Sequence, residues 1–228
     1  MIILGCGGFG VETIEVVGAI NDSGGSIEVL GMADDDESWH GESLLRMPVI
    51  GSIEEAVRKH PDAYLALTIG NPQSLGVRRR IVERLGVADN RYSTLIHPAA
   101  AVASSAVIGF GSIIQAQVVM TADVEVGRNV LVMPGVVLTH GDRVGDFVTI
   151  ASGALISGDV SIGEGAYVGA GASIRERLTI GEGSLVGMGS TVLESVPPRA
   201  TWAGTPARAL ERASLESTGS GSDGSEQG

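Results

Sequence analysis

A base that takes a proton from an amine or hydroxyl near neutral pH is most simply an imidazole, whose titration falls in that range. His140 is the only histidine beyond residue 100. Asp142 follows two positions later. A carboxylate there can orient an imidazole and stabilise its protonated form; it can equally be satisfied by backbone N–H groups in a turn, or by Arg143. Gly158 comes eighteen residues after His140. A glycine beside an imidazole exposes a backbone N–H that can bind the oxyanion formed when a carbonyl is attacked; an ordinary corner glycine is the other reading. Together the three residues suit acyl transfer. A metal centre does not suit this chain, because zinc needs three or four ligands and His97 and His140 lie far apart in the repeat.

A second group opens the chain. Gly5-Cys6-Gly7-Gly8-Phe9-Gly10 follows an apolar strand at Met1–Leu4 and precedes a helical stretch at Val11–Ile20. A glycine turn feeding a helix N-terminus offers free N–H groups to a phosphate; a turn used only for packing is the alternative. Asp34 and Asp35 come about 24 residues past Gly10, near the spacing at which a dinucleotide-binding unit places its ribose-binding acid. About 95 residues are too few for a full dinucleotide domain with a hydride-acceptor site, so an NAD-dependent oxidoreductase is disfavoured. Gly7, Gly8, Phe9 and Gly10, with Asp34, Asp35, Gly70 and Asn71, are the candidates for holding a phosphate-bearing substrate.

Two kinds of element must position these groups. Every sixth residue from Val102 to Val192 is apolar, and fourteen of these sixteen slots hold Val or Ile. Neither an α-helix nor a flat sheet uses a six-residue period. Glycine follows the aliphatic slot at Gly109, Gly127, Gly145, Gly163 and Gly181, each eighteen residues apart. Three hexads therefore make one coil, and glycine fits a corner whose backbone conformation other residues resist. The expected object is a triangular parallel β-helix of about five coils, stacked roughly 4.8 Å apart and about 25 Å long. The slot two residues before each aliphatic should also face inward, and Asp142 is its one charged occupant. Residues His140 and Gly158 should then stack on adjacent coils.

The first 95 residues alternate strand and helix and predict a small parallel α/β unit. Ser26–Met32 reads as its second strand, Ile53–Lys59 as a helix, Ala63–Ile69 as a third strand, and Leu75–Leu85 as a helix carrying Arg78, Arg79 and Arg80. The expected division is 1–95 for a Rossmann-like unit, 96–210 for the β-helix and 211–228 for a disordered tail. That tail has little apolar content and no pattern.

Composition agrees with a thin, repetitive core: the 228 residues include 34 glycines, 43% are apolar and only 4% aromatic. A net charge of −12 argues against nucleic acid, whose phosphates need a basic face. The lone Cys6 excludes an internal disulfide. No signal-peptide pattern and no run of about 20 apolar residues is found, so a cytoplasmic protein with no membrane partner is expected.

The repeats, followed by Trp202-Ala203-Gly204-Thr205-Pro206-Ala207-Arg208, resemble the hexapeptide acyltransferases. Residues 1–210 are similar to one branch, the sialic-acid O-acetyltransferases and bacillosamine N-acetyltransferases. The likeness rests on the glycine turn, Ile69-Gly70-Asn71 with the arginines after it, Leu95-Ile96-His97-Pro98, and Thr139-His140 through Gly145-Asp146-Phe147. It implies a left-handed β-helix, a homotrimer and acetyl-CoA in the groove between subunits, at Thr149, Ala151, Gly158 and Gly169; because CoA phosphates want positive charge in a protein of net −12, Arg175, Arg177, Arg199 and Arg208 in the late coils and closing segment are the candidates for them. It also implies that His140 is the general base, that Gly158 presents its amide to the acetyl carbonyl, and that the N-terminal unit holds a sugar nucleotide. The chain departs from the family pattern. Phe9 replaces a frequent histidine, Gly141 the usual acid after the base, Thr149 a second histidine and Met133 a common asparagine. A non-catalytic sugar-nucleotide-binding or scaffold protein of the same fold is the alternative those departures leave.

Overall fold

The computed structural model describes residues 1–210; the expected tail at 211–228 lies outside them. β1 (Ile2–Leu4) leads through the glycine turn into α1 (Gly8–Asp22), and β2 (Gly31–Ala33) follows. A small antiparallel hairpin, β3 (Ser43–Leu44) and β4 (Met47–Pro48), precedes α2 (Ile53–Lys59), β5 (Leu65–Leu67) and α3 (Val77–Leu85). The parallel sheet runs β2-β1-β5, in register Ile2 with Gly31 and Ile2 with Leu65. The second strand is shorter than its composition suggests. Since β1 starts at Ile2, residues 26–30 have no strand to pair with, and the Asn21 side chain instead brackets Ile27 through both its N–H and its C=O.

From Leu95 onward the chain winds through two-residue strands, each pairing in parallel with the strand eighteen residues away. Three sheets form the faces of a parallel β-solenoid. The first carries Leu95–Ile96, Ile113–Ile114, Leu131–Val132, Thr149–Ile150, Tyr167–Val168 and Leu185–Val186. The second runs from Ala101–Val102 to Thr191–Val192, and the third from Val107–Ile108 to Thr179–Ile180. With Leu95–Ile96 at one end and the closing hairpin Thr201–Gly204 and Ala207–Leu210 at the other, the solenoid has about six turns rather than five. Both inward slots behave as expected: Val118, Val124, Val130 and Val136 are buried alongside Ile114, Val132, Ile150 and Val168.

The corner glycines have a different cause from the one expected. Gly109, Gly127, Gly145, Gly163 and Gly181 are absent from the positive-φ positions. What excludes a side chain is the next coil: a Cβ at Gly163 would lie 2.5 Å from the Glu182 nitrogen, and one at Gly145 2.8 Å from the Glu164 nitrogen. The left-handed conformation falls two residues later, where Asn129 and Phe147 adopt it as well as glycines.

The first face is covered. Leu95, Ile113 and Leu131 pack into one core with Ile3, Phe9, Val16 and Val17, so α1 lies against the solenoid. Arg78 fastens the same junction. Its guanidinium, 5% exposed, donates to the carbonyls of Ile69 (2.6 Å), Asn129 (3.2 Å), Val148 (3.1 Å) and Phe147. No helix among the described residues is long and apolar enough to cross a membrane.

Candidate functional site

His140 sits on the corner between the second and third faces, just past the strand Val137–Leu138. The turn beneath it is pinned by Asp142. This fully buried carboxylate accepts from the N–H of Thr139 (2.8 Å) and the N–H of Val160 (3.0 Å). Both oxygens thus serve the backbone, and Asp142 does not hydrogen-bond the imidazole. Of the two roles open to it, the geometry gives the turn fastener.

Burial pushes the Asp142 carboxyl up to about 7, against the two N–H bonds that pull it down. Its folded-state value therefore lies above the unfolded one near 4. The folded protein keeps that proton while the unfolded chain loses it, so stability is lost as pH rises from about 4 to about 7. Asn cannot ionise. The melting temperature of Asp142→Asn relative to wild type should therefore rise between pH 5 and pH 8; a difference that stays flat or falls would show that burial does not govern this group.

The imidazole lies over Gly158 on the next coil. A Cβ at 158 would meet the ring's Cε1 at 2.2 Å and Nε2 at 2.6 Å. The eighteen-residue repeat thus brings the two residues together. The Gly158 N–H donates to no acceptor among the described residues, while its carbonyl accepts from Arg177 N–H at 2.9 Å. The histidine side chain is 69% exposed, open to a substrate. The carboxylate nearest its Nδ1 is Asp159, at 4.0 Å. Sequence reading missed Asp159, although the repeat that pairs 140 with 158 also pairs 141 with 159.

A cleft of about 650 Å³ opens at the C-terminal ends of β1, β2 and β5. Gly7, Gly8, Phe9, Asp34, Gly70 and Asn71 line it, joined by Met133, a departure from the family pattern, and by Trp39 and Asp36, which the sequence did not single out. Free N–H groups of the fifteen-residue α1 open toward it, with no acid in the first turn. Such an end attracts anions. Asp34 closes the turn by accepting from Cys6 N–H at 2.7 Å and Asp36 N–H at 3.0 Å. Two expected residues do not line the cleft. Gly10 is needed for helix–strand contact, since a Cβ there would fall 2.1 Å from the Gly5 carbonyl oxygen. Asp35 turns away to the Ile53 N–H at 3.1 Å and to Arg84 at 2.5 Å.

The remaining candidates divide among three places. Ala151 and Gly169 follow strands of the first face and share the corner column of Met133. Arg175 lies on the His140 corner, two coils on. Arg208 is in the closing hairpin, 3.6 Å from Glu194. Thr149 stands apart from the other candidates. It is 3% exposed, on the covered first face, where a Cβ on Gly70 would lie 3.9 Å from its methyl group. The small crevice that touches it is shared with Asn71, Val77 and Arg78 at the junction with the N-terminal unit rather than with Ala151 and Gly169. Among the described residues, no cluster of three or more His, Cys, Asp or Glu side chains could hold a metal ion.

Within one chain, the cleft opens at the corner between the first and second faces, where Met133 stands, and His140 at the corner between the second and third. The second face separates them. Its outward residues begin Ala101, Val119, Val137 and Leu155, an apolar column.

Residues 1–85 match the PglD N-terminal domain, and residues 159–194 match the bacterial transferase hexapeptide repeats. The chain is 31% identical to the acetyltransferase domain of PglB from Neisseria gonorrhoeae FA1090, solved in complex with acetyl coenzyme A. That likeness has a TM-score of 0.80 and covers 92% of this chain and 98% of that one. It is 26% identical to a GDP-perosamine N-acetyl transferase from Caulobacter crescentus, a histidine-to-alanine mutant solved with CoA and GDP-perosamine. There the TM-score is 0.81, over 92% and 96% of the two chains. It is also 36% identical over 115 residues to UDP-N-acetylbacillosamine N-acetyltransferase of Bacillus subtilis (strain 168). This last match covers 50% of the chain and about half the length of that curated relative.

Proposed function

The chain belongs to the hexapeptide-repeat sugar acyltransferases, in the branch of the sialic-acid O-acetyltransferases and bacillosamine N-acetyltransferases, and we propose that it moves an acetyl group from acetyl-CoA to an amine of a nucleotide-linked sugar. The observation that carries this reading is the exposed imidazole of His140 seated on Gly158, beside an unengaged backbone N–H. Relatives named as N-acetyltransferases favour an amine over a hydroxyl acceptor.

In this reading His140 takes the proton from the amine as nitrogen attacks the thioester carbon. The Gly158 N–H stabilises the charge growing on the carbonyl oxygen. The new C–N bond forms, the C–S bond breaks, and CoA leaves as the thiolate, which a proton then neutralises. No covalent enzyme intermediate is needed, and Cys6 is buried in the N-terminal core with Ile3 and Phe9. Ala151 and Gly169 keep one corner shallow enough for a pantetheine chain, and Arg175 and Arg208 supply positive charge to a protein of net −12. The free N–H groups of α1 and the glycine turn would hold the sugar nucleotide's phosphates.

The two halves of the site stand on different corners, and a homotrimer of left-handed β-helices would unite them. The apolar column of the second face would meet a neighbour, so that an acceptor held in one copy's cleft meets His140 of the next. Residues 1–95 and 96–210 then act as acceptor-binding and transfer units.

Thiol release from acetyl-CoA, followed with a thiol reagent across UDP-, dTDP- and GDP-amino sugars, tests the reading. One acceptor should give release that falls by about a hundredfold in His140→Ala. Acetyl-CoA binding without release on any acceptor would redirect the search to another acceptor or acyl donor. Failure to bind acetyl-CoA would favour a non-catalytic sugar-nucleotide-binding protein.

A further inference from the structure

An imidazole that acts as a base through one nitrogen needs its other nitrogen held, or the ring presents the wrong tautomer. Asp142 cannot do this here, because both its oxygens are taken by backbone N–H groups. Position 141 has no side chain. Its vacancy is filled from the next coil: a Cβ on Gly141 would lie 2.3 Å from Asp159 Oδ1. The same oxygen is 4.0 Å from His140 Nδ1. The backbone fixes this arrangement, for Asp159 N–H donates to the His140 carbonyl at 2.9 Å and Asp159 adopts a left-handed φ of 61°. On its far side Asp159 Oδ2 stands 3.9 Å from Arg177 Nε. Gly141, Asp159 and Arg177 thus stack on one corner of three successive coils.

We propose that Asp159 is the positioning residue for His140, reaching from the next coil over the bare Gly141 to hold the proton on Nδ1 and leave Nε2 free for the acceptor. This rests on His140 being the base of the proposed transfer. The 4.0 Å gap is one a short turn of an exposed ring closes, and such bonds commonly tighten only once substrate is bound. Arg177, on the far side of the carboxylate, draws Oδ2 away and so leaves Oδ1 facing the ring. The group that orients the base and the group that offers the Gly158 N–H are therefore adjacent residues of one turn.

Asp159→Gly is the test, since glycine accepts the left-handed backbone and removes the carboxylate. In full-length protein, kcat should fall about tenfold with KM for acetyl-CoA unchanged, in line with losing one close charge. In a His140→Ala background the same change should cost nothing further. Histidine-¹⁵N spectra of the neutral ring, assigned by the signal that His140→Ala removes, should move from the Nδ1–H form toward the Nε2–H form in Asp159→Gly. An unchanged tautomer, or an equal loss of kcat without His140, would overturn the proposal. If no acceptor is turned over at all, the functional reading fails, while the tautomer still decides whether Asp159 holds the ring.

Discussion

Gly158→Ala should fold as wild type and lose about a hundredfold in kcat, as much as His140→Ala. Position 158 is absent from the left-handed residues, so alanine suits its backbone. The three atoms that a methyl group there would meet first all belong to the imidazole, at 2.2 to 2.8 Å. That ring is 69% exposed and can swing into solvent, so the clash is relieved at little cost in stability. What is lost is the register between the base and the Gly158 N–H, and catalysis tolerates such displacement poorly. Steady-state kinetics with a melting curve on the same sample would check it. A second comparison isolates the cause: once His140 is alanine, adding Gly158→Ala should change neither kcat nor melting temperature. An ordinary corner glycine would instead give full activity in the single variant.

This pairing was legible without coordinates because a solenoid converts sequence distance into spatial distance. In most folds, residues eighteen apart bear no fixed relation; here each strand pairs with the one eighteen residues away. The inward position of Asp142 followed from the same arithmetic. The missed Asp159 followed from it too, but attention to the acid nearest in sequence hid the acid nearest in space. Period alone could not say what each corner glycine was for. Both a left-handed φ and a close neighbouring coil select glycine, and only coordinates separate Gly141, which has the first at φ 74°, from Gly163, which has the second.

The N-terminal half was less legible because its contacts follow no period. The glycine turn and the order of strands and helices were visible, since strand, turn and helix are local. The start of β2 was not, because it depends on where β1 begins. The cleft-lining roles of Trp39 and Asp36 were hidden for a similar reason. The loop carrying them has no motif, and its path is set by contacts such as His40 Nε2 with the Asp34 carbonyl at 2.9 Å. Asp34 and Asp35 look interchangeable in sequence. The fold sends one to the glycine turn and the other to α2 and Arg84.

The three arginines at the start of α3 show the same divergence, and one of them should dominate stability. Arg79 pairs with Glu164 and is 45% exposed, so Arg79→Met should fall within about 1 kcal/mol of wild type. Arg78 is buried and meets no carboxylate among the described residues. Burial pushes its guanidinium down to about 9, so it remains charged at neutral pH, held by four backbone carbonyls. Hydrogen bonds from a charged donor are among the stronger ones, and buried acceptors left without partners are costly. Arg78→Met fills much of the space but strands the carbonyls of Ile69, Asn129 and Phe147. The expected cost is about 3 to 5 kcal/mol, a fall of about 10 °C in melting temperature for a chain of this size. Lysine should not rescue it, because one ammonium cannot reach carbonyls spread over Ile69 and two coils. Differential scanning calorimetry of Arg78→Met, Arg78→Lys and Arg79→Met would check the ranking. The first two should also raise KM for the acceptor more than for acetyl-CoA, because Ile69 leads directly into Gly70 and Asn71 of the cleft. If Arg78→Met melts with Arg79→Met, the junction is held by the shared apolar core of α1 and the first face alone.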